Sequence, residues 1–137
     1  MNELSIELKE DRNGFEPGER LQGSVTWSMD PAPQRAELRL FWFTRGKGTE
    51  DAGVVQTIHF DRPAPYETRS FDLTLPQAPY SFSGTLISLV WALELVVYPS
   101  KQVVRREIEM GPGRREVKLP AVANESPGQR WVTVRTN

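Results

Sequence analysis

The chain has 137 residues, 38% hydrophobic and 26% charged, with a net charge of −1, a length that suits one domain able to bury its own core. It contains no cysteine, which excludes disulfides, thiolate metal sites and a cysteine nucleophile. The near-neutral balance supplies no overall attraction to nucleic acid or to an anionic membrane surface.

Residues 1–7 lack the basic and apolar regions of a secretory signal, and the apolar run 86–97 carries Glu94. That run is also shorter than the roughly 20 residues a membrane-spanning helix needs. The expectation is a cytoplasmic protein with no integral membrane segment. Acids dominate residues 1–30 and bases dominate residues 101–137. Such polarity favours head-to-tail contacts between copies, beside the plainer reading that β-proteins solvate their edges with available charge.

In chain order, Leu4, Ile6 and Leu8 alternate with polar residues in a first strand. Asn13-Gly14 and Pro17-Gly18 read as two turns, because glycine accepts the positive φ that turns demand. Alternation resumes from Arg20 to Trp27 through Leu21, Gly23 and Val25, and Pro31-Ala32-Pro33 breaks it. A strong strand over 36–44 places Leu38, Leu40 and Trp42 on one side. After the loop 45–51, a strand near 54–60 puts Val54, Ile58 and Phe60 inward, and Pro63 and Pro65 end it. Phe71, Leu73 and Leu75 share a face of the next strand.

The most informative stretch is Pro79-Tyr80-Ser81-Phe82-Ser83-Gly84 running into residues 85–98. Ile87, Leu89, Trp91, Leu93, Leu95 and Val97 recur at period two, the mark of a central strand with one face in the core. Val104, Ile108 and Met110 face inward on the following strand, and Gly111-Pro112-Gly113 makes another turn. Weaker strands are expected over 115–119 and 130–135, separated by the polar stretch 124–128. Strands at this spacing, punctuated by Gly and Pro, predict a single all-β domain over residues 1–137, an antiparallel β-sandwich of about seven to nine strands.

Two segments carry a family likeness. Phe15-Glu16-Pro17-Gly18-Glu19-Arg20-Leu21-Gln22-Gly23-Ser24-Val25 resembles the aromatic, Pro-Gly-Glu, apolar, Gly, Val opening of arrestin-like domains. The stretch from Leu75-Pro76 through Pro79–Gly84 to Ile87–Leu93 is similar to their second signature, a proline-bearing turn leading into an apolar strand with a central aromatic. The resemblance implies an immunoglobulin-like sandwich of arrestin-like type doing adaptor or scaffold work rather than catalysis. It departs from tandem relatives in having room for one sandwich. Ala78-Pro79-Tyr80 is also not a Pro-Pro-x-Tyr ligase-recruiting motif.

The residues themselves contain little chemistry. His59 is the only histidine, and its strand register turns it to solvent, away from any triad partner. No His and carboxylate cluster has metal-ligand spacing, so no metal and no cofactor are expected. Glu50-Asp51 is a solvated acidic pair. Gly46-Lys47-Gly48-Thr49 lacks the spacing and the following helix of a phosphate-binding loop, and reads as a hairpin tip with a minor partner-binding role for Lys47. Trp27, Trp42 and Trp91 fall on inward registers. Trp131 is the one tryptophan expected outside, which keeps a carbohydrate-binding or small-ligand module as the alternative reading.

The outward registers are the unusual feature. Outer sheet faces are normally polar, yet here they carry Phe41 and Phe43 on one strand and Leu86, Val90, Ala92, Val96 and Tyr98 on the long strand. If both strands share a sheet, these residues form an apolar patch of the kind that marks an interface. The expectation is docking of a protein partner, or homodimerisation, through this face. Two alternatives stand beside it: a register swap within the long strand, and coverage by the tail 115–135 folding back. Glu94, on the same face, needs a partner such as Arg39 or Arg105.

Overall fold

Alternating hydrophobicity along nearly every segment leaves one way to bury the apolar faces, by pressing two sheets together. The computed structural model describes residues 2–48 and 50–119. In chain order the strands are β1 (Glu3–Leu8), β2 (Gly14–Phe15), β3 (Arg20–Ser28), β4 (Arg35–Gly46), β5 (Ala52–Phe60), β6 (Tyr66–Thr74), β7 (Phe82–Ser83), β8 (Ile87–Tyr98), β9 (Gln102–Met110) and β10 (Val117–Lys118). A single 3-10 turn spans Pro112–Arg114, and the described residues contain no α-helix.

The smaller sheet has the order β1-β3-β6. The larger has the order β10-β7-β8-β4-β5, with β9 also paired to β8 and β2 paired to β9. The long pairings are antiparallel, whereas the short pairs β2–β9 and β7–β10 are parallel. As its period-two run predicts, β8 is central. It pairs with β4 from Ile87 to Tyr98, and its other side is shared by β7 at Ser88–Leu89 and by β9 beyond Trp91.

The core lies between the sheets. Leu38 and Leu40 of β4 and Leu89, Trp91, Leu93, Leu95 and Val97 of β8 meet Leu21, Val25 and Trp27 of β3 and Phe71 and Leu73 of β6. Both fully buried indoles satisfy their N–H, as buried tryptophan requires. Trp27 Nε1 donates to Ala64 O and Trp91 Nε1 to Pro79 O, each at 2.8 Å. Trp42 is half-buried against the same core.

The two signature segments act as clasps. Gly18 takes the left-handed conformation the turn requires, with φ 79, and its N–H donates to Pro76 O at 3.2 Å. Glu19 accepts from Glu16 N at 2.9 Å and from the Arg12 guanidinium. That hydrogen bond to Arg12 is the chief reason the Glu19 carboxyl sits below the usual carboxylate range. In the second signature, Ser81 is buried and exchanges hydrogen bonds with Met110, donating from N at 2.7 Å and accepting on Oγ at 2.9 Å.

Three expectations need correction. Gly14 belongs to extended β2, and its reason for being glycine is space, since a Cβ there would collide with the Arg114 carbonyl. Val54 does not face inward with Ile58 and Phe60. A β-bulge between Leu40 and Phe41 in the β4–β5 pairing leaves Val55 unpaired and sets Val54 opposite outward-facing Phe41. Part of the charge asymmetry is met inside the chain, where Arg114 lies 3.6 Å from Glu19 and Arg106 lies 3.8 Å from Asp11. The strand expected over 115–119 contracts to β10. The strand over 130–135 with Trp131, and the stretch 124–128, lie outside the described residues.

Candidate functional site

Adjacency of β4 and β8 decides where the outward residues go. Their register sets Phe41 opposite Ala92, Phe43 opposite Val90, Arg39 opposite Glu94 and Glu37 opposite Val96. The sequence therefore places both apolar sets on the outer face of one sheet, with no register swap between them. β9 extends that face, placing Arg105 beside Glu94 and Glu107 beside Ala92.

Phe41 and Phe43 stack with ring centroids 5.8 Å apart. Arginines lie over them: Arg105 is 5.0 Å from the Phe41 centroid and 4.9 Å from that of Phe43, and Arg45 is 5.3 Å from Phe43. Guanidinium planes suit this role, because they stack on aromatic faces while their edges stay hydrogen-bonded. Carboxylates hold each arginine in place. Glu94 receives Arg105 at 3.1 Å and lies 3.8 Å from Arg39, so both partners that its position called for are present. Glu107 receives Arg45 at 2.6 Å and Glu37 receives Arg39 at 3.0 Å. Arg39 also donates to the Tyr98 hydroxyl at 2.7 Å. Burial works against the Arg39 charge, but its bonds to Glu37 and Tyr98 outweigh burial and raise its pKa.

The face is consequently not the open apolar patch that alternation alone suggests. Phe41, Ala92 and Val96 are buried within the chain, covered by neighbouring side chains. Access concentrates at one end. There Phe43 and Val90 are half-buried, Lys47 is exposed, and Leu86 is 59% exposed in the bend before β8. The Lys47 N–H donates to Leu86 O at 3.0 Å, which ties the β4–β5 hairpin tip to that bend.

Beside this end β7 and β9 diverge along β8 and open a cleft of about 450 Å³. Val90, Arg45, Glu107, Glu109, Glu116 and Ser83 are among the residues that line it. Arg45 and Glu107 went unrecognised as part of the site in the sequence. Period-two parity along β9, counted outward from Val103, finds Arg105 and Glu107 together.

The other face of the sandwich has opposite chemistry. Outward positions of the smaller sheet are Ser24, Thr26, Ser70, Thr68 and Asp72, with the Thr26 and Thr68 hydroxyls 3.0 Å apart. His59 is exposed on β5, with Nδ1 3.7 Å from Glu37 and no nucleophile in the arrangement. Among the described residues no group of three or more His, Cys, Asp or Glu is placed to hold a metal ion. No helix among them is long and apolar enough to cross a membrane.

The two sheets, of three and seven strands, form a β-sandwich consistent with the arrestin-like fold. No protein-family model and no curated protein sequence matches the chain. Among solved structures it is similar to Spo0M, a sporulation control protein from Bacillus subtilis, at 17% identity with a TM-score of 0.53. The match covers 80% of this chain and 49% of Spo0M, so the chain spans about half of that protein. At this identity the likeness establishes the fold and nothing further.

Proposed function

We propose that residues 1–137 act as one non-catalytic, cytoplasmic adaptor domain that docks a protein partner on the outer face of its larger sheet. The observation that carries this reading is the contrast between the two outer faces. One is a hydroxyl-rich lattice, and the other holds stacked phenylalanines under carboxylate-paired arginines. Aromatic and arginine side chains are the types enriched at protein–protein interfaces and their hot spots.

The docking end comprises Phe43, Val90, Leu86 and Lys47. Phe41, buried beneath the Arg105 guanidinium, is reached when a partner displaces that side chain, and Ala92 and Val96 lie buried on the same face. A nucleic-acid partner is disfavoured, because the arginines of this face are already paired with carboxylates and the net charge is −1. The described tryptophans pack against the core and present no exposed platform for a sugar ring.

The test places a photo-cross-linking amino acid at Val90 and, separately, at Ser24 on the opposite face, in extract from source cells. A discrete polypeptide should cross-link from position 90 and not from 24, and Phe43→Arg should abolish the product without unfolding the domain. Equal products from both faces, or indifference to Phe43→Arg, would remove the docking site from this sheet.

A further inference from the structure

The larger sheet ends at β5, and that edge differs from the others. No strand lies on its outer side among the described residues. Its sequence, AGVVQTIHF, contains no Lys, Arg, Asp, Glu or Pro. Val54 is 60% exposed and Val55 45% exposed. By contrast, edge strand β1 carries Glu3 and Glu7, edge strand β6 carries Glu67, Arg69 and Asp72, and β10 is only two residues long. Charges, prolines and short length are the usual means of blocking an edge from pairing with another chain. β5 has only its bulge.

We propose that β5 pairs antiparallel with β5 of a second copy about a two-fold axis, joining the two larger sheets into one continuous sheet. The pairing stands on the edge itself; the partner-docking reading enters only in what the dimer presents. Two arguments favour a second copy over another occupant.

The first is charge. Glu50 and Asp51 precede β5 and Arg62 follows it, and none of the three has an ion-pair partner among the described residues. Antiparallel self-pairing brings the acidic end of each copy to Arg62 of the other, whereas a parallel arrangement stacks acid on acid. Asp61, beside Arg62, offsets part of this attraction, so the backbone ladder and the valines carry most of the affinity and salt dependence is weak.

The second is closure. Two-fold pairing consumes both β5 edges and stops, while β5 against any other edge leaves one end open to continue into a fibre. The axis stands perpendicular to the sheet. Both outer faces therefore lie on the same side, and the two docking ends become one bivalent surface.

The test uses the full chain, which has no native cysteine to interfere. Light scattering across a concentration series should give twice the chain mass. Val55→Lys should halve that mass with an unchanged circular dichroism spectrum, and Val90→Arg should leave it doubled. Single cysteines along β5, treated with a short bismaleimide, should cross-link most near Gln56 and least at Ala52. This readout needs no disruptive variant.

A monomer at every soluble concentration overturns the pairing while leaving the cross-linking result at position 90 to judge the docking face on its own. A dimer that Val90→Arg breaks and Val55→Lys does not, or a cross-linking maximum at Ala52, also overturns it.

Discussion

Truncating the two stacked phenylalanines separately should give unequal losses of stability, and the inequality tests the arginine-covered face directly. Phe→Ala in a packed core costs about 3–5 kcal/mol. Phe41 is only 8% exposed, but its outer side rests on the Arg105 guanidinium, 5.0 Å from the ring centroid, instead of on hydrocarbon. The low end, about 3 kcal/mol, is therefore expected for Phe41→Ala. Phe43 is half-buried, and on area grounds Phe43→Ala should cost roughly half as much, about 1.5 kcal/mol. Urea unfolding followed by tryptophan fluorescence resolves the difference. With an m-value near 1.5 kcal/mol/M, the midpoints fall by about 2 M and about 1 M respectively. Arg105→Ala should lower the midpoint further in the wild-type background than in Phe41→Ala, because part of a cation–π contribution of about 0.5–1 kcal/mol goes with the Phe41 ring while the contact with Phe43 remains. Equal midpoints for the two phenylalanine variants would refute the burial of Phe41 beneath its neighbours.

Trp91→Phe should destabilise by about 2–4 kcal/mol through lost packing and an orphaned Pro79 carbonyl. A change under about 1 kcal/mol would show that the second signature does not depend on that hydrogen bond. Acid should weaken the first signature. The Glu19 carboxyl is held low chiefly by its hydrogen bond to Arg12, so its contribution is complete above the ordinary carboxylate range near pH 4 and lost as pH falls through the depressed folded value. Glu19→Gln should therefore lower the melting temperature at pH 7, and the gap to the wild type should narrow as the pH falls below the ordinary carboxylate range. A constant gap across that range would reject the assignment.

The legible and illegible parts of this chain separate by the range of the interaction concerned. Ile87 to Val97 could be read as a central strand because period two is a local property that the fold merely obeys. The adjacency of Phe43 and Val90 followed from the general pairing of such strands in sandwich folds, and the register confirms it. Alternation alone turns Val54 inward, whereas a bulge alters parity by one residue and leaves no mark in composition. Asn13-Gly14 has the composition of a turn, whereas the constraint on Gly14 comes from Arg114, far along the chain. Coverage of Phe41 was the least accessible of all. It depends on Arg105, whose side chain crosses from a different strand, and outward parity alone does not distinguish an exposed ring from one beneath a guanidinium.

That covering has an energetic logic suited to a docking surface. Bare phenylalanine and valine on an outer sheet face invite indiscriminate association, whereas arginine covers the ring and stays hydrated at its edges. The ion pairs that hold the arginines, Arg45 with Glu107 and Arg105 with Glu94, are partly exposed. Pairs of this kind contribute about 0–1 kcal/mol each, so moving the guanidiniums aside costs little. A partner that buries an aromatic or aliphatic side chain in their place gains about 1.5–3 kcal/mol for each one. The balance favours opening only when the incoming surface supplies apolar area and also acceptors for the displaced arginines. At the proposed docking face, specificity would then reside in meeting both demands at once, which a chance hydrophobic contact does not do. Substituting Arg105 with Met, which keeps the apolar cover and removes the charge, should therefore preserve folding while broadening the set of polypeptides cross-linked at position 90. A set unchanged from wild type would place specificity in the rim residues Lys47 and Leu86 instead.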